Sequence, residues 1–230
     1  MTEERSSQII TFPSEKRVKR TRRSGGRIKS VDGVKYFNEK QIKLLRRTSR
    51  EQAEIDDQRG NVTGIREWMV IDLLTSTGLR VSEAANLRCG DLKIGYSESK
   101  IYVREGKGRV SGHVVINGSL KKRLKLFLGW KRSLGEDLGD DDYLFVGQRG
   151  SWTSQAIQQI VKKYLKKINL YEKGKSVHAL RHSYAVELYS KEKDLRVVQK
   201  QLRHVSIQST LVYADVTDET ISDQIKGLWN

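Results

Sequence analysis

The stretch LRHVSIQSTLVYADV, residues 202–216, sets His204 nine positions ahead of Tyr213. Three further segments hold side chains that hydrophobic periodicity does not account for. HALRHSYA (178–185) spaces His178 and Arg181 three apart, and TSTGLRVSEAANL (75–87) carries Arg80 with Glu83 three positions on. Between them, GKG (106–108) presents Lys107. Taken singly each is weak, because GLR ends many helices and His-x-x-Arg arises by chance. Their order along one chain is what carries information.

The chain around these segments is folded and basic. Of its 230 residues 37% are hydrophobic and 31% charged, too apolar for a disordered chain but rich in charge for a globular one. The excess is one-sided: 44 Lys+Arg against 28 Asp+Glu give a net charge of +16. A field of that sign selects a polyanion, either nucleic acid or an anionic membrane surface. The membrane is disfavoured, since no apolar run approaches the roughly 20 residues of a spanning helix. The N-terminus, MTEERSSQIITFPSEK, has no apolar stretch long enough for a signal peptide. A single cysteine, Cys89, excludes an internal disulfide and a thiolate metal cluster. Four histidines without HExxH spacing give no support to a zinc site. The expected location is cytoplasmic, in contact with nucleic acid.

Residues 15–29, EKRVKRTRRSGGRIK, hold eight Lys/Arg against one Glu. Residues 1–35 therefore read as a disordered basic arm, with Lys16, Arg17, Lys19, Arg20, Arg22 and Arg23 as candidate DNA contacts. Ordered sequence is expected from Tyr36. A helix capped by Asn38 is followed by a more buried one around Trp68–Leu74, stopped by Gly78. Val81–Leu87 reads as a short helix. IYVR (101–104) and HVVI (113–116) form a hairpin. Residues 119–132 and 153–168 are amphipathic helices with basic outer faces, separated by an acidic loop at 136–142. Helical patterns return at 178–190, 194–203 and 217–228. The expected fold class is mostly α with a small antiparallel β-hairpin sheet (α+β), occupying residues 36–230.

With its four segments in this order, the chain resembles the tyrosine recombinases of the phage-integrase type, in their catalytic domain. The resemblance implies a site-specific DNA recombinase that cleaves and rejoins strands through a 3′-phosphotyrosyl intermediate. It places Arg80, Lys107, His178, Arg181, His204 and Tyr213 as catalytic residues. The arginines are permanently charged forks that bind the non-bridging oxygens and the charge that builds on them. Tyr213 is the nucleophile, chosen among nine tyrosines by its spacing from His204, and its phenol needs a base and an electropositive pocket. Of the two histidines, His178 takes a base-like role and His204 donates to the phosphate. Lys107 protonates the departing 5′ oxygen. Glu83, one turn on from Arg80, buttresses it. Tyr184 is read as core. Because the ester conserves the energy of the broken bond, the resemblance implies that rejoining needs no metal, ATP or other cofactor.

Two departures from the family stand out. A basic arm of 35 residues, too short and too polar for a folded domain, precedes Tyr36, where most members carry a separate core-binding domain; in this the chain is similar to the short fimbrial phase-switch invertases. At Arg203 the family usually has glycine, so this side chain either adds a phosphate contact or distorts the turn. The expected partners are double-stranded DNA, further copies of the chain in a tetramer on DNA joined through the C-terminal helix 217–229, and an accessory DNA-bending protein. The expected source is a prokaryote, a phage or a mobile element. Two rivals remain: type IB topoisomerase-like relaxation, and a catalytically idle DNA-binding regulator of the same fold.

Overall fold

The computed structural model describes residues 35–104 and 111–213. The basic arm, the hairpin turn with Lys107, and the segment 217–229 lie outside the described residues. The first helix, α1 (Glu39–Gln58), begins where Asn38 accepts the Gln41 amide and the Gln41 side chain accepts the Asn38 amide, a reciprocal cap. The second, α2 (Thr63–Thr77), is apolar on nearly every side, with Met69, Val70, Ile71, Leu73 and Leu74 all buried. A helix of that kind belongs inside a core. It packs against α1 and against three helices described below, α4 (Gly118–Ser133), α5 (Ser154–Lys167) and α6 (Val177–Glu192). Of its two buried carboxylates, Glu67 is held by Lys163 and Tyr164 of α5, and Asp72, 2% exposed, lies between Arg46 of α1 at 2.5 Å and Arg123 of α4 at 2.6 Å. Three helices are thereby tied at one carboxylate, since a buried charge persists only where it is paired.

After α2 come α3 (Val81–Ala85) and a 3-10 turn at Cys89–Asp91. A three-stranded antiparallel sheet follows, in the order β1 (Leu92–Lys93), β2 (Lys100–Val103), β3 (Gly112–Val115). The β2–β3 pair is the expected hairpin, with Ile101 opposite Val114 and Tyr102 opposite His113. Ile101, Val103 and Val114 face the core, while Val115 is exposed. The sequence reading placed a single hairpin here; the structure adds β1 as a third strand, and a separate pair β4 (Val146–Gly147) and β5 (Gly150–Ser151). Strands of two residues are too short for an alternating pattern to register. The helix α4 is capped by Asn117 and α5 by Thr153. Chain order closes with α6, α7 (Leu195–Leu202) and the single turn α8 (Gln208–Leu211).

Two apolar clusters result. The larger is built around α2, while a smaller one gathers Ala185, Val198, Leu202 and Tyr213, with Tyr184 and Val212 against it. Among the described residues no helix is long and apolar enough to cross a membrane.

Gly78 sits where the two clusters meet. Its φ is +64°, a left-handed conformation that ends α2 and turns the chain toward Arg80. A Cβ there would lie 2.6 Å from Tyr184 Cδ1 and 2.9 Å from Leu202 Cδ2. Both the backbone and the packing thus demand glycine. Replacement Gly78→Ala is expected to cost about 2 kcal/mol or more. Thermal denaturation should show a Tm lower by roughly 4–8 °C. An unchanged Tm would mean that neither constraint operates.

Candidate active site

The end of α2, the start of α6 and the end of α7 converge, and an arginine at each supplies positive charge there. Arg181, on α6, is buried and donates from Nη1 to the Gly78 carbonyl at 2.6 Å and from Nη2 to the Leu202 carbonyl at 2.7 Å. These bonds fix the plane of the guanidinium, and three of its five N–H groups remain for other acceptors. Burial, reinforced by neighbouring Arg80, brings its pKa down to about 10, so it stays charged at neutral pH.

Arg80 is the N-terminal flanking residue of α3, and Glu83 lies one turn into that helix. The Glu83 carboxylate accepts the Arg80 amide at 2.7 Å and Arg80 Nη1 at 2.8 Å. The same carboxylate holds Arg203 Nη2 at 2.7 Å and lies 4.0 Å from Arg181 Nη1. Burial alone would raise the pKa of Glu83. The ion pair with Arg203 and the bonds from Arg80 outweigh it and hold the acid below its usual range. One carboxylate therefore faces three guanidiniums, leaving a net positive pocket suited to an oxyanion.

Arg203 flanks the C-terminus of α7 with φ +53°, the left-handed conformation that glycine adopts most readily. Its side chain turns inward, only 6% exposed, rather than standing on the surface. Its Nε and Nη1 have no hydrogen-bond partner among the described residues. The next residue, His204, is half-buried, and its Nδ1 lies 2.9 Å from Thr210 Oγ1. Burial first, and then Arg181 and Arg80, push its pKa down to about 4.

Tyr213 follows α8 and packs into the smaller cluster, 5% exposed. Its Oη lies 2.7 Å from Nδ1 of His182, the residue after Arg181. Burial pushes the phenol up to about 12, against the pull of Arg181. His178 stands exposed on the first turn of α6, four residues before His182. Tyr184 is half-buried, and its hydroxyl accepts from Gln201 at 2.9 Å. Arg80, Glu83, Arg181, Arg203, His204 and Tyr213 are thus assembled from segments up to 133 positions apart. Lys107 and the arm residues Lys16, Arg17, Lys19, Arg20, Arg22 and Arg23 lie outside the described residues. Sequence reasoning passed over His182. The available signal was its place four residues after His178, on the same helical face.

A sequence profile for the phage integrase family matches residues 35–220. The chain belongs to the phage integrase family. Among similar proteins is the tyrosine recombinase XerC of Oceanobacillus iheyensis, 33% identical over 70% of this chain and 52% of its own length. Tyrosine recombinase XerA of Pyrococcus horikoshii is 30% identical over 70% of this chain and 54% of its own. This phage integrase family chain spans about half the length of such relatives. Its fold matches a crystal structure of XerA recombinase with a TM-score of 0.64 at 28% identity, over 85% of this chain and 64% of that one. A XerH recombinase bound to its difH substrate before cleavage gives 0.67 at 22% identity, over 85% and 54%, which speaks for the fold alone.

The surroundings of His204 make a direct prediction. In the DNA-free protein its imidazole should remain neutral through the ordinary histidine range and take up a proton only near pH 4. An NMR titration of the ring nitrogens measures this. A midpoint at the ordinary histidine value would contradict the burial and charge described here.

Proposed function

We propose that this chain cleaves and rejoins DNA at specific sites through a 3′-phosphotyrosyl link to Tyr213. The observation that carries the reading is the meeting of Arg80, Arg181 and His204 around one pocket with Tyr213 packed beside Arg181. In this reading Arg80 and Arg181 bind the non-bridging oxygens of the scissile phosphate and stabilise the charge that develops there. His204 donates to the same phosphate, and Glu83 holds Arg80 in its rotamer. Arg203 belongs with them: its unpartnered donors suit a further phosphate contact. Lys107, which falls between β2 and β3 in the sequence, is the proposed acid for the 5′ oxygen. The base-like role that the family resemblance gives to His178 falls on the face of α6 that His178 shares with His182.

Around this core, double-stranded DNA is the proposed substrate, gripped in part by the basic arm. A tetramer assembled on DNA through residues 217–229 and a DNA-bending helper complete the proposed assembly. The proposed setting is the cytoplasm of a prokaryote, with the gene carried by a phage or mobile element.

A duplex nicked close to the cleavage site loses a short fragment on cutting and traps the covalent adduct. Wild type should accumulate that adduct on denaturing gels, whereas Tyr213→Phe should give none and bind DNA within about twofold of wild type, since one hydroxyl adds little to a charge-driven interface. An adduct in Tyr213→Phe would reassign the nucleophile. No adduct in wild type, with DNA binding intact, would mark the chain as a binding protein.

A further inference from the structure

We infer that His182 accepts the phenol proton of Tyr213 as its oxygen attacks the scissile phosphate. This rests on the cleavage reading above and supplies the base that it needs at the nucleophile itself. The geometry is direct: His182 Nδ1 and Tyr213 Oη are 2.7 Å apart, with the rings tilted by 51°. A phenol below its pKa carries its proton, so the tyrosine donates and the imidazole accepts, with its own proton on Nε2. A nucleophile within hydrogen-bond reach of a base is the arrangement that activates weakly acidic hydroxyls.

The other histidines of the site are placed differently. His204 has its Nδ1 engaged with Thr210 Oγ1 at 2.9 Å. His178 is exposed, one helical turn before His182. Among the described residues, His182 is the side chain that hydrogen-bonds the Tyr213 oxygen. The groups facing its imidazole are Tyr213, His178, Arg181 and, across the pocket, His204. Burial, then His178 and Arg181, lowers its pKa, which leaves the Nδ1 lone pair free at neutral pH.

The proton balance closes over the cycle. As the Tyr213 Oη–P bond forms, its proton passes to His182 Nδ1. The P–O5′ bond breaks, and the 5′ oxygen takes a proton from the general acid, proposed to be Lys107. On rejoining, the 5′ hydroxyl attacks phosphorus and gives its proton back to that acid, the Oη–P bond breaks, and His182 returns the other proton to the phenolate oxygen. His182 is then neutral again, ready for a second strand.

The test uses the full chain and a nicked duplex at saturating protein, with single-turnover rates of adduct formation. His182→Asn places an amide oxygen where Nδ1 was, keeping an acceptor that cannot hold a transferred proton. Its cleavage should be slower by about 10²-fold or more. A second duplex with sulfur in place of the bridging 5′ oxygen has a leaving group that needs no acid. The His182→Asn defect should persist on that substrate, where a defect in the leaving-group proton would vanish. Wild type should also lose rate as pH falls into the range where His182 protonates, and His182→Asn should lack that acid limb. Circular dichroism and DNA affinity matching wild type confirm that the variant is folded.

Wild-type rates in His182→Asn would overturn the inference and leave His182 as a spacer. So would a His182→Ala protein faster than wild type, because His182 would then be holding Tyr213 back. Wild-type protein and Tyr213→Phe are assayed alongside. An adduct in wild type with undiminished His182→Asn sinks this inference alone, whereas no adduct in wild type sinks the cleavage reading with it.

Discussion

The carboxylate of Glu83 is the point on which the arrangement of the site turns. Three guanidiniums drawn into one largely buried pocket would repel one another and lose most of their hydration, each a cost of several kcal/mol. Glu83 offsets this by pairing with Arg80 and Arg203 on its two oxygens, with Arg181 at 4.0 Å. It also accepts the Arg80 amide, so the ion pair and the start of α3 are fixed together. The carboxylate cancels one charge of three, and the remaining excess can be neutralised by an incoming phosphate.

A second constraint comes from the backbone. Arg181 bridges the carbonyls of Gly78 and Leu202, the last groups of α2 and α7. Helix C-termini leave carbonyls unsatisfied and carry partial negative charge, which suits a cation there. The same bonds that satisfy these carbonyls bring Arg80, beyond Gly78, and Arg203 and His204, beyond Leu202, to one place. Tyr213 enters from the smaller cluster, where its ring packs with Ala185, Val198 and Leu202. Folding and site assembly are therefore one event: the contacts that end the helices also aim the side chains.

Much of this could be read before any coordinates. Asn38 as a cap, Gly78 as a stop, the buried α2 and the β2–β3 hairpin each follow from local chemistry that the sequence spells out. The ordered set of Arg80, His178, Arg181, His204 and Tyr213 came from the family pattern, and all five lie among the described residues. What escaped were features decided by distant partners. The pairing of β1 with β2, and of β4 with β5, depends on neighbours rather than on two-residue patterns. Arg203 could be flagged as unusual, yet whether its side chain turned outward to DNA or inward to Glu83 depended on a residue 120 positions away. His182 was hidden for a similar reason: its meaning comes from Tyr213, 31 positions on, and one histidine had already been assigned to that motif.

The most direct measurement of this account replaces Glu83 with glutamine, which keeps its volume and removes its charge. Single-turnover cleavage of a nicked duplex at saturating protein should fall by at least about tenfold, because Arg80 and Arg203 lose the anchor that orients them. DNA affinity should hold or rise, since the protein gains one net positive charge, and circular dichroism should report an intact fold. A Glu83→Gln protein that cleaves at the wild-type rate would contradict the claim that this carboxylate organises the site.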